Sequence, residues 1–223
     1  MSLVPESAVR IPVEDGIALE GDLWIPPDAA ALVIFAHGSG SSRFSPRNRF
    51  VAEFLNKRRL ATLLVDLLTQ DEEQLAAVQE LRFDIDLLAS RMAGVTDWAS
   101  RYPDTQRLRP GYFGASTGAA AALVAAARRA DSIGAVVSRG GRPDLAGAAL
   151  TEVRAPTLLI IGGNDPTVLA LNRLAYSMMR CERQLVVVPD ATHLFEEPGA
   201  LDRVAVLARD WFVRHLVPAS QPA

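Results

Sequence analysis

The sequence predicts an α/β fold with a mainly parallel, doubly wound sheet and an antiparallel hairpin at its N-terminal end. Three observations predict it. From residue 31 onward, short runs rich in Val, Ile and Leu alternate with helical patterns, as strands covered on both faces by crossover helices should read. Before them, two extended stretches flank Glu14-Asp15-Gly16, and an Asp-Gly turn between alternating residues marks a hairpin. Finally, Ser116 stands between Gly114 and Gly118, where an apolar strand turns abruptly into an alanine-rich helix.

In chain order, the hairpin strands are expected at 8–13 and 17–24. Apolar, β-branched runs predict further strands at 31–36, 60–66, 109–113, 133–137, 157–161 and 185–188. Helices are expected at 49–57, at 84–101 with Leu88, Met92, Val95 and Trp98 on one face, and at 117–129, 145–152, 168–179 and 201–216. Thr69-Gln70-Asp71-Glu72 reads as a capping box that starts a further short helix carrying Leu75 and Val78.

The 223 residues, 49% of them hydrophobic, suffice for one sizeable core, and no linker, repeat or low-complexity tract divides them. A single domain over 1–223 is expected. Met1 to Ser7 has neither the basic nor the apolar region of a leader, and the longest apolar run, 119–127, is too short to cross a bilayer. The expectation is a cytoplasmic protein with no membrane partner. A net charge of −3 gives no electrostatic case for nucleic acid. One cysteine, Cys181, cannot form an internal disulfide and is expected in the core.

In doubly wound sheets the chemistry lies beyond the carboxyl ends of the strands, and four segments converge there. Gly114-Ala115-Ser116-Thr117-Gly118 has the G-x-S-x-G spacing of a nucleophile elbow, a strained turn that exposes the serine and tolerates little beside it. Ala36-His37-Gly38-Ser39-Gly40 follows the strand at 31–36, where an acyl-transfer enzyme needs a loop N–H to hold an oxyanion. The backbone N–H groups of Ser39 and Thr117 are the expected donors. A phosphate-binding glycine loop is the other reading of this segment, although the G-x-G-x-x-G and Walker spacings are missing. His37 is expected to order the loop rather than to act as a base.

Asp165, in Gly162-Gly163-Asn164-Asp165-Pro166, follows another strand and reads either as the acid that orients a histidine or as a helix N-cap. His193, in the loop after the last strand, completes the order serine, acid, histidine. His215, near the end of the last helix, is expected at the surface.

With these segments the chain resembles the α/β-hydrolases, specifically the small, lidless members related to dienelactone hydrolases. The elbow, the His-Gly loop, the Gly-Gly-Asn-Asp turn and the Ala-Thr-His loop carry the resemblance, which covers nearly the whole chain. It implies an α/β-hydrolase fold without a cap domain, and only 138–155 is available where larger relatives insert one. Ser116 stands where dienelactone hydrolases carry a cysteine.

The expected chemistry is hydrolysis of a small carboxylic ester or thioester through an acyl-enzyme on Ser116, with His193 as base and Asp165 as its partner, and with no metal or organic cofactor. The same machinery serves an acyltransferase or perhydrolase, and a binding protein without turnover is the alternative of another class. Leu67 and Leu68, with the short helix after them, read either as a wall of the substrate site or as a surface helix packed on the domain. Arg139, in Ser138-Arg139-Gly140-Gly141-Arg142, is expected on a loop near Ser116, where it and Arg142 either hold a substrate carboxylate or pair with an acid such as Asp144. Nothing in the sequence sets an oligomeric state.

Overall fold

A computed structural model describes residues 7–14 and 16–218. The expected turn residue Asp15, like the N-terminal segment before Ser7, lies outside the described residues. Among those described, eight strands form one sheet. They are β1 (Ser7–Glu14), β2 (Ile17–Trp24), β3 (Ala31–Ala36), β4 (Leu60–Val65), β5 (Arg109–Ala115), β6 (Val136–Arg139), β7 (Thr157–Gly162) and β8 (Arg183–Val188). Their order is β1-β2-β4-β3-β5-β6-β7-β8. β1 pairs antiparallel with β2, and β2 with β4, while β4 through β8 run parallel.

The parallel strands are apolar on both faces because both faces are covered. Leu32 and Ile34 of β3 join one core while Val33 and Phe35 join the other, as the period of a strand requires. Helices α1 (Pro46–Asn56) and α7 (Ala200–Leu216) bury Val51, Leu55, Val204 and Phe212 on the second face. The first face is covered by α4 (Ile85–Ala99), α5 (Thr117–Arg128) and α6 (Pro166–Met178). The alanines of α5, from Ala119 to Ala122, are fully buried, and their small side chains bring this helix close to the sheet behind Ser116.

Three expectations are corrected. β6 extends to Arg139, so Ser138 and Arg139 are strand residues paired with Gly114 and Ala115 rather than part of a loop. The segment at 145–152 is a 3₁₀ helix over Pro143–Thr151, broken at Gly147, whose φ of 54° no regular helix contains. The capping box at Thr69 forms, but α2 (Gln70–Glu73) ends after four residues and α3 (Val78–Phe83) starts separately, leaving Leu75 exposed between them.

Candidate active site

Ser116 joins β5 to α5 with φ 51° and ψ −123°, a left-handed conformation that side chains seldom adopt and that costs on the order of 1–3 kcal/mol. The surrounding backbone over-determines it. Ser116 N–H donates to Arg139 O at 3.3 Å, and Ser116 O accepts from Ala119 N–H at 3.1 Å and Arg142 N–H at 3.0 Å. Both flanking glycines are required by close approach. A Cβ on Gly114 would lie 2.4 Å from Ala119 Cα, and one on Gly118 would lie 2.3 Å from His37 O and 2.4 Å from Ala36 O. The elbow and the loop after β3 are thus packed backbone to backbone.

That loop is held from both sides. His37 Nε2 accepts the Leu67 N–H at 3.2 Å, so the neutral ring carries its proton on Nδ1, which donates to Gly38 O at 3.0 Å. The imidazole thereby ties the end of β4 to the loop after β3, and orders that loop as expected. Gly38 lies against Ser116: a Cβ there would be 2.9 Å from Ser116 Cβ.

One expectation about the oxyanion donors needs correction. Ser39 N–H donates to Thr117 Oγ1 at 2.8 Å, so it is not a free donor. Thr117 N–H, in the first turn of α5, has no intrahelical acceptor.

Asp165 does both things that the sequence left open. Oδ1 caps α6 by accepting from Val168 N–H at 3.4 Å, and Oδ2 lies 2.7 Å from His193 Nδ1. Asn164 ties the two loops together, its N–H donating to Ala191 O and its side-chain amide to Asp190 O, each at 2.9 Å. The carboxylate side chain is 15% exposed and the imidazole 38%, so the acid lies beneath the ring and the ring faces the open edge of the sheet. His193 adjoins Gly140, whose added Cβ would lie 3.6 Å from the ring's Cε1. Gly140 directly follows Arg139, the residue whose carbonyl receives the Ser116 N–H, so the end of β6 meets both the Ser116 backbone and the His193 loop.

A cleft of about 600 Å³ borders this region on the β4 side, lined in part by His37, Phe44, Asp66, Leu68, Gln70 and Gln74. The ion pair of Arg82 with Glu73 forms another part of its wall. Leu68 lines this cleft, whose lining does not include Ser116, Asp165 or His193. Leu67 does not: its backbone is held by His37 and by Arg91, which donates to its carbonyl at 2.7 Å, and its side chain is fully buried in the core. Arg91, itself buried, forks Glu72 of the capping box.

Arg139 is also corrected as a substrate ligand on an open loop. It is 7% exposed, and shares the face of Val137. Nη1 has no hydrogen-bond partner among the described residues, and burial, helped by Arg47, pushes the guanidinium pKa down to about 10. Arg142 takes the structural reading, donating to Asp144 at 2.9 and 2.8 Å, a pairing that raises its pKa. Cys181 lies before β8, at the opposite end of the strands from Ser116, where burial pushes its thiol pKa up. His215 is not a surface residue: its side chain is 10% exposed and packs on Trp211, and burial lowers its pKa.

Sequence reading missed the Thr117 side chain, although a hydroxyl directly after the candidate nucleophile is a visible signal. Among the described residues no helix is long and apolar enough to cross a membrane.

No protein-family model matches the chain. A solved structure of a dienelactone hydrolase from Anabaena variabilis is 58% identical, superposes with a TM-score of 0.93, and covers 95% of this chain and 98% of its own. Two more distant structures share the fold. Est1E from Butyrivibrio proteoclasticus, with ferulic acid bound, has a TM-score of 0.78 at 19% identity, covering 93% of this chain and 99% of its own. A Pyrococcus furiosus esterase has a TM-score of 0.78 at 20% identity, covering 95% and 92%. Proteins from two Mycobacterium tuberculosis strains, provisionally named phosphoribosyl transferases, are 58% identical over 200 residues, 90% of this chain. The chain spans 44% of their length.

Proposed function

The chain belongs to the dienelactone hydrolase-like α/β-hydrolases, and from that premise we propose that it is a serine hydrolase of small carboxylic esters or thioesters. Ser116 Oγ attacks the acyl carbon while His193 Nε2 takes its proton. Asp165 holds the Nδ1–H of His193, fixing the tautomer that leaves Nε2 free and stabilising the imidazolium as it forms. The carbonyl oxygen gains the displaced electron pair and is held by donors at the start of α5. His193 then protonates the departing alcohol or thiol, and water attacks the acyl-enzyme by the reverse sequence. Every proton returns to its place and water is the co-reactant.

The observation that carries this reading is the 2.7 Å Asp165–His193 pair, placed on the sheet edge where Ser116 is held at an otherwise costly φ of 51°. A strained serine between close-packed glycines, on the same sheet edge as an oriented imidazole, has no structural purpose that a relaxed turn would not meet as well. The cleft beside Leu68 is the proposed seat of the substrate, in a site without a cap.

The phosphoribosyl transferase name belongs to proteins of which the shared segment is less than half, and we assign the shared segment the acyl chemistry and not that name. Steady-state hydrolysis of p-nitrophenyl acetate tests the proposal. Ser116→Ala and His193→Ala should each lower kcat by about 10⁴–10⁶-fold, with the double variant scarcely worse than either. Retention of more than about a tenth of wild-type turnover by Ser116→Ala overturns the mechanism.

A further inference from the structure

The Thr117 side chain is a polar group beside the nucleophile that the backbone mechanism does not use. Thr117 is 3% exposed, at the first position of α5, with Oγ1 fixed by the Ser39 N–H at 2.8 Å. A hydroxyl that accepts one hydrogen bond still has its own proton to donate. Three other buried threonines place that proton on a backbone carbonyl, Thr96 on Met92 O at 3.0 Å, Thr105 on Ala99 O at 2.7 Å and Thr157 on Ala155 O at 2.9 Å, while Thr62, far from this edge in β4, is seen accepting from the Asn56 amide at 3.1 Å. For Thr117, among the described residues, the hydroxyl is seen only as an acceptor.

We propose that the Thr117 hydroxyl is itself a donor of the oxyanion hole. Ser39 N–H donates to Oγ1, and Oγ1–H donates to the substrate carbonyl oxygen, beside the Thr117 N–H. The amide thus acts through the hydroxyl. Donation from Ser39 polarises the O–H and strengthens it as a donor, as successive hydrogen bonds do. The proton stays on Oγ1 throughout: when Ser116 Oγ bonds to the acyl carbon, the carbonyl electron pair moves onto oxygen, and the hydroxyl stabilises that charge without transferring anything. Collapse of the intermediate returns the pair and expels the leaving group, which receives its proton from His193.

This proposal rests on the acyl-enzyme reading, and it differs from a backbone-only hole in what it demands of residue 117. Valine keeps the shape of threonine, removes the hydroxyl and releases the Ser39 N–H. Serine keeps the hydroxyl.

The test compares wild type, Thr117→Val and Thr117→Ser in p-nitrophenyl acetate hydrolysis and in inhibition by an alkylboronic acid, which forms a tetrahedral adduct with an active serine. Thr117→Val should lose about 10²-fold in kcat, the cost of one oxyanion donor, with KM within about threefold, and its boronate Ki should rise by a similar factor. Thr117→Ser should recover kcat to within about threefold of wild type, which keeps the test valid if the valine variant folds poorly. A Thr117→Val protein that turns over at the wild-type rate or faster overturns the proposal alone, because the freed Ser39 N–H then serves directly. A Thr117→Ser variant as slow as Thr117→Val also overturns it. A wild type that neither hydrolyses the ester nor binds the boronate overturns the acyl-enzyme reading, and this proposal with it.

Discussion

His193 Nδ1 lies 2.7 Å from Asp165 Oδ2, and the same carboxylate caps α6 through its other oxygen. The acid is therefore fixed by the helix it starts, and the imidazole is fixed by the acid. Asp165→Asn keeps the shape and a capping oxygen but lets the side-chain amide donate to Nδ1, favouring the tautomer with Nε2 protonated and unable to act as a base. The expected outcome in ester hydrolysis is a fall of about 10⁴ in kcat with little change in the thermal midpoint. A fall of less than tenfold would show that His193 does not depend on Asp165.

Gly118 faces His37 O and Ala36 O at distances that leave no room for a methyl group, and both are backbone atoms. Gly118→Ala must push the loop after β3 away from the elbow. The expected result is destabilisation of about 3 kcal/mol or more by urea titration, with loss of activity. Gly40, at φ 74° but with no atom within 4 Å of an added Cβ, provides the comparison. Gly40→Ala should cost only about 1 kcal/mol, the conformational strain alone. Equal effects would show that close packing is not what selects glycine at 118.

The Glu72 carboxyl is held below the usual carboxylate range, first by its bond to Arg91 and then by the Thr69 amide, against opposing desolvation. A group that binds its proton more weakly when folded stabilises the fold above its unfolded pKa, and that stabilisation is lost as pH falls through the folded value. Glu72→Gln should accordingly lower stability at pH 7 by about 1–3 kcal/mol, because Arg91 is buried and loses its charged partner. The gap between wild type and variant should narrow below about pH 4. Thermal melts of both proteins from pH 7 to pH 3 check this. A gap that widens in acid would contradict the assignment.

The cleft beside Leu68 is polar on much of its wall, with Asp66, Gln70 and the Glu73–Arg82 pair facing it. Deep apolar burial would give about 0.8 kcal/mol per methylene, close to fourfold in kcat/KM for each added carbon. This cleft should not supply that gain. Across p-nitrophenyl esters from acetyl to dodecanoyl, kcat/KM is expected to level off by the butyryl or hexanoyl ester. A steady climb to dodecanoyl would require an apolar tunnel.

Much of this site was legible because each candidate residue follows a strand that reads as one. Ser116 comes after β5, Asp165 follows β7 and His193 follows β8, and the apolar runs that mark those strands do not depend on distant contacts. What failed to be legible depends on partners far away in sequence. Ser138 and Arg139 read as loop because Ser-Arg-Gly carries no apolar pattern, yet the ladder continues through Arg139, whose carbonyl takes the Ser116 N–H. Leu67 looked like a pocket wall beside Leu68, but bonds from His37 and Arg91 turn its side chain into the core. The Ser39–Thr117 bond joins the loop after β3 to the start of α5, 78 residues apart, and no local periodicity encodes it.

The central claim is that Ser116 is an activated nucleophile, and covalent trapping tests it most directly. A fluorophosphonate probe reacts with a serine made nucleophilic by its neighbours and held next to oxyanion donors, and is inert toward ordinary hydroxyls. Intact-mass spectrometry with peptide mapping should find one probe per wild-type chain on Ser116, with none on Ser116→Ala and slow labelling of His193→Ala. A wild-type protein that takes up no probe, or a Ser116→Ala variant labelled as fast as wild type, would contradict the account.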